Sequence, residues 1–161
     1  MPVFLAVLAL LQSPYDIAKG AAGQAATHNL EQQINKRLLA ESRKNQCSFK
    51  TDTAELKKGC DKKLRKLVNA LIGAKKQLNS AHVQNFKFEV SGHTDSSGNA
   101  AHNKELSLKR AEVIVTELIA RGVPHNEIMA VGKGSEAPLV KPDNTPAKKA
   151  KNRRYEIRVR L

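Results

Sequence analysis

The spacing of hydrophobic residues after position 46 alternates between helical and extended patterns. Apolar residues recur every three or four positions over residues 56–78, which predicts a long amphipathic helix with Thr53 at its N-cap. A second helix is predicted from about residue 102 to residue 121, because Gly122 follows it as a typical C-terminal stop. Each helix has one apolar face, which we expect to pack on other elements.

Four shorter segments have the pattern of strands: residues 47–50, 86–91, 128–131 and 154–161. A Gly- and Pro-rich loop over residues 132–144 precedes the last of them, with Thr145 and Pro146 as the cap and first position of a short helical turn. The resulting order is strand, helix, strand, helix, strand, strand. It predicts an α+β sandwich whose helices pack on a mixed four-stranded sheet.

The amino end is apolar but short. Residues 3–11 form an uninterrupted run of nine apolar residues, too few for a helix that spans a bilayer. No basic residue precedes the run as in a typical export signal, and no Cys follows it as a lipidation site. We expect residues 1–15 to be an imperfect export signal or the outer half of a membrane anchor; an apolar element packed on the domain is the third interpretation.

Residues 16–45 are polar and Ala-rich, with Leu30, Ile34 and Leu38 returning to one face of a helix. This pattern predicts a helical linker, followed by a single domain over residues 46–161. Two heptads of apolar contacts are too few to establish a coiled coil, so a homodimer formed through this helix stays open.

The charge of the chain suggests an anionic partner. The 28 Lys and Arg exceed the 15 Asp and Glu by 13, and nucleic acid is the first candidate to test. Only four Phe, two Tyr and no Trp are present, so base stacking on aromatic side chains lacks its platforms. We therefore expect no nucleic-acid partner, and a basic nucleic-acid-binding protein is kept as an alternative.

The two cysteines, Cys47 and Cys60, are 13 positions apart. In an oxidising compartment they can close a loop that contributes about 3 kcal/mol by the chain-entropy model. Neither has the His or Cys neighbours of a metal site, and no Cys-x-x-Cys pair is present. The prediction is a structural disulfide, provided that the chain is exported.

The densest group of polar residues lies at the end of the second predicted strand. Residues 91–95 read Ser-Gly-His-Thr-Asp, and Asn103 and Arg110 follow seven positions apart on one face of the next helix. If that helix packs beside the strand, Asp95 and this face converge at the amino end of the helix, where backbone N–H groups are free. One fixed anion and one fixed cation suit a zwitterionic ligand. The alternative is that Asp95 and Arg110 form a salt bridge within the domain.

Enzymatic and cofactor sites are disfavoured by the same residues. Ser91, His93 and Asp95 share one strand face, whereas a nucleophile–base–orienter relay is normally assembled from separate segments. The run Gly132-Lys133-Gly134 is not followed by the helix that a phosphate-binding loop requires. No spacing is diagnostic of a metal site. We therefore expect no catalytic residue, no metal and no cofactor.

Several motifs occur in a fixed order: Gly92-His93-Thr94-Asp95, Asn103-x-x-Leu106-Ser107-x-x-Arg110-Ala111, Gly122-Val123, Gly132-x-Gly134-x-x-x-Pro138 and Asn152-Arg153-Arg154. In this order they resemble the OmpA-like peptidoglycan-binding domain. The resemblance covers about residues 46–161, roughly 70 % of the chain.

The resemblance implies a non-catalytic domain that binds the diaminopimelate residue of peptidoglycan stem peptides. The residues that it assigns to the ligand are Thr94, Asp95, Asn103, Leu106, Arg110, Arg153 and Arg154. Asp95 would pair with the diaminopimelate ammonium and Arg110 with its carboxylate, while Asn103 hydrogen-bonds the ligand. Thr94 supplies backbone groups, Leu106 lines the pocket, and one of the last two arginines supports the anionic side.

The resemblance also limits the kind of protein that the domain serves. No run of alternating strands precedes residue 46, which argues against fusion to a porin barrel, and the missing lipidation site argues against a lipoprotein. The remaining expectations are a periplasmic protein that binds peptidoglycan, tethered to the inner or outer membrane through its amino end, or the periplasmic part of a MotB-like stator subunit of a flagellar or defence-system motor.

Overall fold

The computed structural model describes residues 14–161. Its helices and strands are α1 (Pro14–Lys44), α2 (Asp61–Ser80), β1 (Lys87–His93), α3 (Ala100–Ala120), β2 (Ile128–Gly134), α4 (Pro146–Asn152) and β3 (Arg154–Arg160). The predicted apolar segment 1–15 lies outside the described residues, except for Pro14 and Tyr15 at the start of α1. Within the described part of the chain, no helix combines the length and the hydropathy that a bilayer span requires.

The three strands form one mixed sheet in the order β2-β1-β3. Strand β1 pairs in parallel with β2 and antiparallel with β3, where Phe88 lies opposite Val159 and Val90 opposite Ile157. These four side chains are almost completely buried, because the alternating pattern places them on the face that the helices cover. The predicted α+β class is confirmed.

The hydrophobic core includes residues of α1 as well as of α2 and α3. Ile34 and Leu38 are buried in the same cluster as Leu71 and Ile114. By contrast, residues 22–29 of α1 are nearly all exposed. The second half of the predicted helical linker therefore packs on the domain, while residues 22–29 stay largely exposed.

The predicted four-stranded sheet is wrong in one detail, since the sheet has three strands. Residues 47–50 do not join it; only Phe49 makes a bridge, and its partner is Leu56. The free edge of β3 is covered instead by Gln46, just after α1, whose side-chain amide accepts from the N–H of Tyr155 at 3.0 Å and donates to its carbonyl at 2.8 Å. Side chains thus occupy the backbone groups that a fourth strand would have used.

The expected N-cap at Thr53 is also wrong, because α2 begins at Asp61. Residues 47–60 form a short hairpin that we call the disulfide-closed hairpin, since Cys47 and Cys60 are bonded at its base, as predicted. Thr53 lies near its tip, where its hydroxyl accepts a hydrogen bond from the N–H of Glu55. The apolar period of α2 therefore extends into a segment whose backbone is not helical.

Helix α3 packs unusually close to the sheet, because two strand positions lack a side chain. A Cβ at Gly92 would lie 2.0 Å from the carbonyl oxygen of Ser107, and one at Gly132 would lie 2.6 Å from that of Lys104. The glycines of the sequence motifs are thus required by backbone contact. This packing places the first turns of α3 beside the carboxyl end of β1.

Candidate ligand-binding cleft

A cleft of about 690 Å³ opens where four segments meet: the end of β1, the start of α3, the start of β3 and the disulfide-closed hairpin. All the predicted ligand-binding residues line it: Thr94, Asp95, Asn103, Leu106, Arg110, Arg153 and Arg154. The structure therefore brings the whole predicted set together, while the binding roles of its members stay predictions.

Asp95 supplies the cleft with a carboxylate that is 9 % exposed. Its Oδ1 accepts a hydrogen bond from the N–H of Ser97 at 2.9 Å, and its Oδ2 accepts one from Arg153 at 2.6 Å. Burial raises the pKa of Asp95, but the hydrogen bonds from Arg153 and Ser97 together outweigh it and hold the pKa below its usual value. Asp95 is therefore ionised at neutral pH, and each oxygen keeps a lone pair for a further donor.

Arg110 lies on another wall of the cleft and does not pair with Asp95. Its Nε donates to the carbonyl oxygen of Thr53 at 2.9 Å, and its Cζ lies 5.1 Å from the centre of the Phe49 ring. Among residues 22–161, no carboxylate lies within 4.0 Å of its guanidinium nitrogens, and the nearby carboxylates of Asp52 and Asp95 pair with His102 and Arg153. The alternative of a salt bridge between Asp95 and Arg110 is thus wrong. Burial lowers the pKa of Arg110, although nearby Asp52 opposes this shift.

The loop between β1 and α3 is fixed by hydrogen bonds within it and to β2. The Asn103 side chain donates to the carbonyl of Ser97 at 2.8 Å, and the Thr94 N–H donates to the carbonyl of Gly134 at 2.8 Å. Asn99 caps α3 by accepting from two backbone N–H groups of the first turn. Two of the amides expected to be free at this helix end therefore already have a partner.

The two arginines at the start of β3 have different surroundings. Arg153 is 46 % exposed and reaches Asp95, whereas Arg154 is 6 % exposed and pairs with buried Glu156 at 2.9 Å. Arg43 of α1 donates to the same Glu156 oxygen at 2.7 Å. Although burial raises the pKa of Glu156, these arginines lower it to about 2. Arg154 is therefore held by contacts within the fold, whereas Arg153 is the more exposed of the two and pairs with Asp95.

Asn152, the first residue of the Asn-Arg-Arg motif, has a structural role. It is completely buried, and its side-chain oxygen accepts from the N–H groups of Leu139 and Val140 at 2.8 and 3.0 Å. Its nitrogen donates to Asp143, which in turn accepts from the Ser96 N–H. This chain of hydrogen bonds ties the loop before α4 to the loop that carries Asp95.

Sequence reasoning raised only Thr51 and Asp52 of the hairpin as possible contributors to the site, whereas a longer stretch of it forms a wall of the cleft. Its contribution is the run Cys47, Ser48, Phe49, Lys50, Thr51, Asp52, together with Lys57, and the preceding Gln46 lines the cleft beside it. With these residues the lining contains five Lys or Arg side chains and two carboxylates, so the cleft has an excess of positive charge. The signal that pointed to the hairpin was the pair of cysteines, which closes a loop just before the first long helix of the domain.

Ser91 and His93 are buried neighbours on β1, with Ser91 Oγ 3.1 Å from His93 Nε2. Burial, followed by the charge of Arg154, lowers the pKa of His93 to about 4, so the ring is neutral at pH 7. Its Nδ1 has no hydrogen-bond partner among the described residues, and the carboxylate of Asp95 is bonded elsewhere. The pair lacks the carboxylate that orients the imidazole of a Ser–His relay.

A family model described as the OmpA family matches residues 48–153. The match covers more than half of the chain and includes the whole cleft apart from Gln46, Cys47, Arg154 and Tyr155. The chain therefore belongs to the OmpA family.

Relatives of known name match part of this chain. The peptidoglycan-binding protein ArfA of Mycobacterium tuberculosis is 43 % identical over 68 residues, which are 42 % of this chain and 21 % of that protein. Outer membrane porin F of Pseudomonas fluorescens is 46 % identical over 72 residues, which are 44 % of this chain and 22 % of that protein. The matched region thus spans about a fifth of the length of these relatives.

Solved structures share the fold. The peptidoglycan-associated lipoprotein of Burkholderia pseudomallei matches with a TM-score of 0.57 at 24 % identity, covering 71 % of this chain and 88 % of that one. The periplasmic domain of Helicobacter pylori MotB matches with a TM-score of 0.58 at 19 % identity, covering 70 % of this chain and 69 % of that one. At these identities the likeness concerns the fold.

Proposed function

We propose that this domain binds peptidoglycan without catalysis and anchors an envelope protein to the cell wall. The finer proposal is that the ligand is the diaminopimelate residue of a stem peptide. The observation that carries it is the separation of charges in the cleft: ionised Asp95, bonded to Arg153, on one side, and Arg110 without a carboxylate partner in residues 22–161 on the other.

The side chain of diaminopimelate ends in an ammonium and a carboxylate on the same carbon. Asp95 has acceptor capacity left for the ammonium, and the terminal groups of Arg110 can donate to the carboxylate. Asn103 and Arg153 complete the polar lining, and Leu106 provides its apolar side. Since the cleft has an excess of basic groups, a ligand with further carboxylates, such as a peptidoglycan stem peptide, is favoured over a neutral one.

The envelope location is supported by the disulfide. A bond between Cys47 and Cys60 is expected in an oxidising compartment and is rare in the cytosol. The proteins of known name that match this chain include an outer membrane porin and a peptidoglycan-binding protein. We place the domain in the periplasm, on an anchor in the inner or the outer membrane.

The exposed stretch 22–29 of α1 fits the role of a spacer. A helix of 31 residues is about 46 Å long, and its apolar contacts with the domain begin near Leu30. This arrangement suits a tether between a membrane anchor at residues 1–15 and the domain at 46–161. It also suits the periplasmic part of a MotB-like stator subunit, in which a dimer through α1 would pair two such domains.

Sedimentation with purified peptidoglycan sacculi of the diaminopimelate type tests the proposed binding. We expect the wild type to sediment with the sacculi and Asp95→Asn to stay largely in the supernatant. Glu105→Gln is the matched control, because it removes an exposed carboxylate on α3 that pairs with Lys109 of the same helix. The assay is run in 0.5 M salt, since adsorption through the basic surface is then screened. If the wild type stays in the supernatant, the proposed function is wrong.

A further inference from the structure

Arg110 is held by a segment far from its own helix. Its Nε donates to the carbonyl of Thr53, 57 positions earlier in the chain, at 2.9 Å. Its Cζ lies 5.1 Å from the centre of the Phe49 ring, within the range of a cation–π contact. Both partners belong to the disulfide-closed hairpin, so this hairpin decides how the guanidinium lies in the cleft.

The hairpin is rigid enough to do this. Its arms are joined by backbone hydrogen bonds from Lys50 to Glu55 and from Lys57 to Ser48, each 2.9 Å long. Its base is closed by the disulfide Cys47–Cys60. The turn that carries the Thr53 carbonyl is therefore fixed at both ends.

These contacts occupy one of the N–H donors of the Arg110 guanidinium and one face of its plane. Arginine has five N–H donors in one plane, and a carboxylate can bind two of them either along the Nε side or across the two terminal NH₂ groups. The Thr53 carbonyl occupies the Nε–H, and the Phe49 ring covers one face of the plane. The terminal NH₂ groups are the donors left for a ligand.

We propose that Phe49 and Thr53 are positioning residues, and that the disulfide-closed hairpin orients Arg110 so that it receives a carboxylate only across its two terminal NH₂ groups. The proposal rests on the proposed function, since it concerns the same cleft. It makes the hairpin a determinant of selectivity: a planar carboxylate fits this arrangement, whereas a neutral amide at the same position does not.

The first test measures the affinity of the full chain for the tripeptide L-Ala-γ-D-Glu-diaminopimelate by NMR titration. Phe49→Leu keeps an apolar side chain but loses the aromatic ring, so we expect the dissociation constant to rise about three- to tenfold. Phe49→Tyr keeps the ring and should bind like the wild type. In an Arg110→Gln background, Phe49→Leu should have no further effect, because the residue that it positions is gone.

A second measurement follows hydrogen exchange at Arg110 in the absence of any ligand. The Nε–H of Arg110 should exchange slowly with water in the wild type, because Thr53 accepts it, and faster in Phe49→Leu and in the double variant Cys47→Ser/Cys60→Ser. The melting temperatures of the variants are compared with that of the wild type. If both Phe49→Leu and Phe49→Tyr changed the melting temperature to the same extent, Phe49 would act on the whole domain and not on Arg110.

The outcomes separate the two proposals. Two results would show that the positioning role is wrong, provided that the wild type binds. One is that Phe49→Leu binds the tripeptide as tightly as the wild type. The other is that Phe49→Leu weakens binding in the Arg110→Gln background as much as it does in the wild type. If the wild type does not bind the tripeptide, the proposal that diaminopimelate is the ligand fails. The exchange rate of the Arg110 Nε–H then tests the positioning role without a ligand. An unchanged rate in Phe49→Leu would show that this role is wrong.

Discussion

Asn35 of α1 takes the place of a neighbouring strand for Val159 of β3. Its side-chain oxygen accepts from the Val159 N–H at 2.7 Å, and its nitrogen donates to the Val159 carbonyl at 3.1 Å. Together with Gln46 on Tyr155 and Ser42 on the N–H of Ile157, this contact shows how residues of and just after α1 supply partners to backbone groups along the sheet edge.

Replacing Asn35 by Leu should therefore destabilise the domain. The substitution keeps the branched shape of the side chain but leaves two backbone groups of Val159 without a partner, at a cost of about 1–3 kcal/mol. Urea unfolding followed by circular dichroism measures the change. Gln33→Leu, at an exposed position of the same helix, is the matched control and should change stability by less than about 0.5 kcal/mol. Equal stability of the two variants would mean that Asn35 does not protect the edge.

Gly92→Ala should be strongly destabilising. Its Cβ would lie 2.0 Å from the Ser107 carbonyl, so α3 must move away from β1. We expect a loss of roughly 1–3 kcal/mol or more in the free energy of unfolding. Gly73→Ala, in the middle of α2 with nothing within 4 Å of the added Cβ, should be neutral or stabilising by about 0.4–1 kcal/mol. Similar effects of both substitutions on thermal unfolding would contradict the close packing.

The pH dependence of the free energy of unfolding should include a contribution from the ionised carboxylate of Glu156. Its pKa falls from 4.5 to about 2 in the folded domain, despite burial, because Arg43 and Arg154 favour the ionised form. A carboxyl whose pKa is lower in the folded state stabilises fully above its unfolded pKa, and this contribution disappears as the pH falls from 4.5 towards 2. The wild type should accordingly lose stability over this range.

Glu156→Gln should flatten that part of the pH profile and destabilise the domain at pH 7 by about 3–5 kcal/mol, because Arg154 is left buried without its partner. Glu55→Gln is the control: it removes the partner of Lys50 from an exposed pair and should change little. If Glu156→Gln keeps the wild-type slope between pH 4.5 and 2, another group is responsible for it.

The parts of the fold that the sequence predicts are those that depend on local patterns. The alternation of apolar and polar residues predicts β1 and β3, and Gly122 predicts the end of α3. Each of these features depends on residues within a few positions of one another. The cleft follows from the same local rules, since strand β1 runs directly into Asp95 and α3 carries both Asn103 and Arg110.

The errors come from contacts between distant residues. The strand expected at 47–50 is absent from the sheet because the edge of β3 is already covered by amides of Asn35 and Gln46, more than a hundred residues away. Likewise, the pairing of Asp95 with Arg153 and of Arg110 with Thr53 depends on how the loops fold back. Periodicity carries no information on such pairs.

The central claim is that Asp95 and Arg110 hold the two charged ends of one amino-acid terminus. Calorimetric titration with two tripeptides, one ending in diaminopimelate and one ending in lysine, tests it most directly, since lysine has the ammonium but lacks the neighbouring carboxylate. We predict that the wild type binds the diaminopimelate peptide roughly ten- to a hundredfold more tightly than the lysine peptide. Arg110→Gln should remove this preference, and Asp95→Asn should weaken the binding of both peptides. Equal affinity of the wild type for the two peptides would contradict the account.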